Sequence, residues 1–386
     1  MLKNDVYKQL FTDWRIERYT AELLNSKDEY LSELGEIVGG TFTTSTDARI
    51  KSSAKVNMIL EKPVAAWSGL RVRLVAHANG VDWPLGIFIP SSPEQRHTPN
   101  GVEVSLELLD KLTLLDKDCL DTAFSIPART VLSDFLVEFT KSIGDDKVKI
   151  DGAPSMNRHP MTWDAGTSKL TVINDVLDYM GFFSLQADRY GYYVASKYLI
   201  PAERPISWLF TEGEQAMFTP EFTHTWDLDA IPNKIVYIAQ TTGTLTLTTR
   251  NEHGDPTQVE VEAKSTTPAM VAVATNEDPK SMFSYQSRGR WIVEVGTDIK
   301  AETQEILQRK AELRLRNAME PMEKIEIHHA LIPVQLNEIA RFKTSDYDII
   351  ASIRKFEITL TPGELMYIKL RKVNYADNQP GSSSTE

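Results

Sequence analysis

Two carboxylates, two adjacent imidazoles, one thiol and a hairpin crowded with aromatic rings are the groups whose types and spacing suggest chemistry. Asp227 and Asp229, in the run TWDLD, share one face of an extended segment, as a pair of carboxylates acting on a glycosidic bond would. Ile231-Pro232 follows at once, and an acidic chain produces such pairs by composition, so the segment reads first as the entry to a strand. His328 and His329 are neighbours. On a strand they project to opposite faces and cannot chelate one ion, so no metal is expected. Cys119 lies among Asp116, Asp118 and Asp121, whose charges disfavour the thiolate that a nucleophile needs; a buried or partly buried structural thiol is expected. Phe182, Phe183, Tyr190, Tyr192 and Tyr193 crowd a single hairpin. Alternate rings, Phe183 and Tyr193 for example, would anchor it on the preceding helix, with the opposite face left as a platform for a sugar ring. No phosphate-binding loop, H-E-x-x-H, G-x-S-x-G elbow or EF-hand loop occurs, so neither a catalytic set nor a cofactor is expected.

Charged strands form a second class of candidate. Arg71 and Arg73 alternate with apolar residues in LRVRLVA, Glu103 and Glu107 in VEVSLELL, and Arg354, Lys355, Lys369, Arg371 and Lys372 make the last hairpin basic. Two readings stand side by side: solvated strand faces, and ion pairs across a subunit boundary that set basic strands against acidic ones.

The elements that must position these groups read as α+β, mainly β: two similar small β-barrel domains with an α+β module between them. Residues 1–116 alternate in short apolar runs, among them Trp14–Leu24, Ala54–Leu60 and Leu70–Ala76, as a first barrel would. Residues 117–205 change period. Val131, Phe135, Leu136 and Phe139 predict a helix ended by Gly144, and Leu170, Ile173, Val176, Leu177 and Met180 a second, with Thr167 or Ser168 as N-cap and Gly181 as stop. Residues 206–373 return to strands as a second barrel, with a loop excursion over 264–289 and a helix over 300–318; residues 374–386 read as a disordered tail. Two β segments look alike, Trp83–Leu109 and Ile349–Val373. Each has an apolar strand with an aromatic (Phe88, Phe356), a Gly-containing turn and a second strand of period two. A chain that carries one β module twice can present two similar surfaces.

Composition excludes several classes. The 386 residues carry 54 carboxylates against 42 Lys plus Arg, a net charge of −12, with no basic run of the kind that binds phosphate backbones. A single cysteine rules out an intrachain disulfide framework and fits folding in a reducing cytoplasm. No stretch has the apolar length of a signal peptide or a membrane span, and membrane insertion is not expected.

The opening DWRIERYTAELLNSKDEYLSEL, the strand Leu85-Gly86-Ile87-Phe88, the middle KLTVINDVLDYMGFFSLQADRYGYYVASKY and the ending IRKFEITLTPGELMYIKLRKV, in this order, resemble the central tail-tip hub proteins of long-tailed bacteriophages, of the siphophage minor tail protein type. The resemblance implies a non-enzymatic homotrimer with two barrels per subunit, so that a pseudo-sixfold ring joins a hexameric tail tube to a threefold tip. It implies as partners the distal tail or tail-tube proteins and spike or fibre proteins, with the tape-measure protein and DNA passing through the lumen without specific binding. The location would be the tail tip or baseplate of the virion, after assembly in the host cytoplasm. The alternatives are a tail-associated glycan-binding or cell-wall-degrading protein, and the distal tail ring protein.

Overall fold

The computed structural model describes residues 2–373 apart from 13, 100, 151–154, 158–159, 200–203, 215, 228–230, 240–241, 251–255, 265–269, 298, 300–303 and 319–321. It is 47% strand and 16% helix, so mainly β. The chain forms two compact bodies, one of residues 1–223 with 325–386 and one of residues 224–324.

In the first body, after a short helix α1 (Lys3–Val6), come β1 (Glu17–Leu24), β2 (Tyr30–Ser45), β3 (Ser52–Leu60), β4 (Arg71–Ala78), β5 (Val81–Pro90), β6 (Glu94–Thr98) and β7 (Gly101–Asp110). Strict alternation of burial marks two of these strands: Ala54, Val56, Met58 and Leu60 of β3 and Val102, Val104, Leu106 and Leu108 of β7 are buried, with less buried residues between them. Their pairing follows β1-β4-β5-β7-β3-β2, and β2 pairs back onto β1. At Gly40 the backbone of β2 lies so close to β3 that a Cβ would come within 2.0 Å of the Lys55 carbonyl oxygen, and φ is +139°.

The module that follows comprises α2 (Leu112–Lys117), β8 (Phe124–Ile126), α3 (Leu132–Lys141), β9 (Val148–Ile150), β10 (Met161–Trp163), α4 (Lys169–Tyr179), β11 (Gln186–Ala187) and β12 (Tyr193–Ala195). Ser168 caps α4 by accepting from the Thr171 amide (3.2 Å), and Gly181 follows with φ +72°. Of the predicted stripe, Leu170, Ile173, Val176 and Leu177 are fully buried against Leu132 and Leu136 of α3, Leu115 of α2 and Tyr193, and Met180 is partly buried at its end.

The chain then lays down β13 (Ile206–Thr211) and β14 (Phe218–Asp227) and, after the second body, β20 (Met322–His329), β21 (Ile339–Lys343), β22 (Asp348–Thr359) and β23 (Met366–Lys372). These pair in the order β13-β21-β22-β23-β20-β14, the same succession as the first set. The look-alike segments, β5 to β7 and β22 to β23, hold equivalent places in it. There are differences. β1 and β4 are antiparallel where β13 and β21 are parallel; Glu94–Thr98 adds a short strand that β22 contains without a break; and the second body intervenes between β14 and β20. β2 pairs with β22, from Thr41↔Thr359 to Ser45↔Lys355, so both sets join one 13-stranded sheet over one apolar cluster in which Phe42 meets Phe88 and Phe356 at 6.0 and 5.9 Å between ring centres.

The second body holds β15 (Lys234–Ala239), β16 (Thr242–Arg250), β17 (Pro256–Lys264), β18 (Met270–Thr275), α5 (Tyr285–Arg288), β19 (Val293–Gly296) and α6 (Gln304–Ala318). Residues 264–289 are therefore not a loop excursion: they include β18, which pairs along all of β15 because Ala272 and Ala274 alternate inward, and α5. Leu307, Ala311 and Leu315 of α6 cover that sheet at Ile235 and Ala239. The segment forms a body of its own rather than a part of the second strand set. The start of the predicted helix and the predicted tail 374–386 lie outside the described residues.

Candidate assembly surface

Residues paired across an antiparallel ladder share a face, so register shows what each side of the sheet presents. One row runs Glu107–Lys55–Thr41–Thr359 across β7, β3, β2 and β22; the next runs Leu109–Ser53–Thr43–Glu357–Tyr367 and reaches β23; a third runs Ser45–Lys355–Lys369. The alternate rows, Leu108–Ala54–Phe42–Ile358 and Thr44–Phe356–Ile368, lie in the core. One face is thus polar and continuous from the first strand set into the second. Its charges balance locally: Lys55 meets Glu107 (3.9 Å), Lys355 meets Glu357 (3.6 Å), and Lys369 meets Glu326 (2.8 Å). Such exposed pairs are worth about 0–1 kcal/mol each, so they neutralise the face more than they stabilise it.

Of the charged candidates, Glu103, Glu107, Lys355 and Lys369 fall on this polar side; Glu103 pairs with Arg96 of β6 (3.3 Å). Arg73 is tied to Glu22 across β1 and β4 (2.8 Å), Arg354 bonds Asp47 (2.8 Å), and Arg371 is an exposed residue of β23. Arg71 leaves the surface set altogether. It is 6% exposed, because the alternation of β4 is overridden where the α+β module covers the strand.

There Arg71 Nη1 donates to Asp28 and to Asp145 Oδ2 (3.0 Å). The fully buried Lys111 ammonium donates to Asp28 Oδ2 (2.9 Å) and the Gly191 carbonyl (2.7 Å) and pairs with Asp145; Lys147 reaches Asp28 at 3.1 Å; and the Tyr193 hydroxyl donates to the Lys111 carbonyl oxygen (3.0 Å). Burial works to raise the Asp28 pKa, but the hydrogen bonds and charges of Lys111 and Arg71 outweigh it and hold the carboxyl below its usual range. The cluster fixes the module to the strands through charges from both. The sequence marked Arg71 as a charged strand residue and Tyr193 as an anchor of its hairpin, but not that they meet in one cluster. Asp28 occupies a left-handed position between β1 and β2 (φ +63°), while Lys111 and Asp145 carried no periodic signal.

The chemistry-bearing residues are dispersed. His329 is buried and bonds the Ala330 carbonyl oxygen through Nδ1 (2.6 Å), while His328 is exposed and packs beside Tyr367 at 5.7 Å, the expected opposite faces. Burial lowers the His329 pKa to about 4. Cys119 is exposed rather than buried, at a bridge to Ser168 outside the helical stripe. In the hairpin Tyr193 is buried as expected, but Phe182 packs against the module core in place of Phe183, which meets Tyr198 (5.0 Å) and Arg204. Asp229 and the side chain of Asp227 lie outside the described residues. Among the described residues no group of three or more His, Cys, Asp or Glu is placed to hold a metal, and no helix is long and apolar enough to cross a membrane.

No protein-family model and no curated protein matches the chain. Solved structures do. A tail protein from Neisseria meningitidis matches with a TM-score of 0.61 at 11% identity, over 92% of this chain and 96% of that one. The 43 kDa tail protein of prophage MuSo2 from Shewanella oneidensis matches with a TM-score of 0.61 at 12% identity, over 92% and 98%. The chain has the fold of phage tail proteins. A chain of the Francisella PdpA–VgrG complex shares this tail-protein fold with a TM-score of 0.54 at 9% identity, over 99% of this chain and 62% of that one.

Proposed function

We propose that this chain is the structural hub of a phage tail tip, three copies of which close a ring that joins a sixfold tube to a threefold tip and lines the channel for DNA. The observation that carries the reading is the repeated strand order within a single sheet. Each copy of the set is one small barrel, so three chains present six similar blades, the number a hexameric tube needs. The polar face shared by β7, β3, β2, β22 and β23 is the lumen wall. Its paired charges and threonines give passing DNA nothing to hold, because retention needs unpaired cations.

The internal junction also suggests the subunit contact. β22 uses the first half of one edge for β21 and the second half for β2. In the first set β5 takes the place of that first half, and β6, which pairs with β7 on its other edge, takes the second. An incoming β14, equivalent to β2, would close this edge from the neighbouring subunit. Arg73, Arg354 and Arg371 remain candidates for the rim of that contact. The tail-protein fold supports a location in the virion tail, with tube, spike or fibre proteins as neighbours and a structural rather than catalytic role. Electron cryo-microscopy of intact particles tests the reading: three copies as six blades around a channel at the tip support it, whereas six copies per ring would indicate a distal tail ring protein and a monomer that hydrolyses wall glycans would overturn it.

A further inference from the structure

A cavity of about 380 Å³ lies where the α+β module meets the β2–β22 junction, between Lys51, Lys149 and Arg189 on its walls and Phe42, Phe356, Val334 and Leu336 below. Its cations are unusual in their partners. Lys51 donates to the carbonyl oxygens of Thr46 (2.8 Å) and Ala48 (2.7 Å). The Arg189 guanidinium donates to the Pro333 carbonyl oxygen (3.4 Å) and, with the carboxamide of Gln335 turned oxygen-first, to Gln335 Oε1 at 2.8 and 3.1 Å. Lys149 stands over the Tyr192 ring, 3.6 Å from its centre. Among the described residues no ion pair joins any of the three to a carboxylate.

The carboxylates nearby are already committed. Asp188 in the cavity wall uses Oδ1 to accept from the Tyr190 (2.9 Å) and Tyr192 (2.8 Å) amides. Asp110, which attracts Lys51 from a distance, accepts from the Ser52 (2.7 Å) and Leu112 (2.8 Å) amides. At the Asp28 cluster, by contrast, every cation has its carboxylate. Burial lowers the pKa of both Lys51 and Arg189 despite the attraction of Asp110 and Asp47 on the one and of Glu338 and Asp188 on the other, so these carboxylates compensate neither cation in full, as in a site whose counter-charge arrives with a ligand.

We propose that this cavity binds a carboxylate joined to an apolar or aromatic body, the charge meeting Arg189 and Lys51 and the body resting on Phe42, Phe356 and Leu336. The volume suits a group of amino-acid to dipeptide size. Its source is either a free small molecule or the carboxyl terminus of a protein chain, since both offer the same chemistry. The site belongs to the single chain and does not depend on ring assembly.

The test is calorimetric titration of the full chain with N-acetylphenylalanine and with N-acetylphenylalaninamide, which differs only in lacking the charge. Saturable binding of the acid with at least tenfold weaker binding of the amide is expected. Arg189→Gln and Lys51→Gln should each weaken the acid about tenfold, and Arg189→Lys should restore part of the loss, because a charge-assisted hydrogen bond is worth on the order of one such factor. Acetyl-Gly-Gly-Phe provides the second arm: tighter binding than the single residue supports a chain terminus, and weaker binding supports a free small molecule. Equal affinity for acid and amide, unchanged affinity in Lys51→Gln, or no binding up to about 10 mM overturns the proposal. If Arg189→Gln lowers the melting temperature sharply, Lys51→Gln carries the comparison.

Discussion

His329 and Asp110 titrate against each other. Burial lowers the His329 pKa to about 4, and burial raises the Asp110 pKa to about 6 against the hydrogen bonds from the Ser52 and Leu112 amides. In the unfolded chain the ordinary values are about 6.5 and 3.9. As pH falls from about 6.5 to 4 the unfolded chain gains a proton at His329 that the folded chain refuses, which costs about 1.4 kcal/mol per pH unit. As pH falls from about 6 to 4 the folded chain gains a proton at Asp110 first, which returns a similar amount. Urea unfolding at pH 7, 6, 5 and 4 should therefore give a shallow profile for the parent and a steep acid loss for Asp110→Asn; parallel profiles would refute the opposition. At the neighbouring charge cluster Lys111→Met leaves Asp28 and Asp145 short of a buried cation and should cost about 3 kcal/mol by the same measurement. A loss within about 0.5 kcal/mol would mean that solvent already screens the site.

Among the elements, the turn between β11 and β12 shows why pattern alone misplaces contacts. Gly191 has φ +83°, and a Cβ there would meet Ile87 Cδ1 at 2.8 Å and Asp28 Oδ2 at 2.9 Å, so the turn presses its backbone onto β5 and the charge cluster. Gly191→Ala should destabilise by about 2 kcal/mol through backbone strain and crowding, and hydrogen exchange should quicken first in the module. A neutral effect would mean that the turn lifts away freely. The helices and most strands were legible because their apolar residues repeat with one period: the α4 stripe from Leu170 to Leu177 and the β7 alternation from Val102 to Leu108 are both buried as spaced. Arg71 and Cys119 were misplaced for a complementary reason. The cover over Arg71, and the lack of one over Cys119, come from elements distant in the chain.

For the whole molecule, the repeated strand order makes a prediction about assembly. Successive N–H groups of a strand point to opposite edges, so of Arg96→Pro and His97→Pro one removes a donor from the β6–β7 ladder and the other from the free edge. One of the two should keep the parent's melting temperature within a few degrees yet fail to enter rings or particles, as read by negative-stain microscopy. If both assemble, β6 is not the subunit edge.

The sequence by itself determined that this chain is mainly β with a helical module between strand sets, that one β segment occurs twice, and that no familiar catalytic motif is present. Those are local properties: period, turn chemistry and composition act over a few residues. Tertiary structure decided that the two sets share one sheet through β2 and β22, that residues 224–324 make a separate body, and that Asp28, Arg71, Lys111 and Asp145 meet. Each of these depends on pairing between residues far apart in the chain, and neither strand period nor charge spacing specifies which partner a strand edge or a buried ion will find.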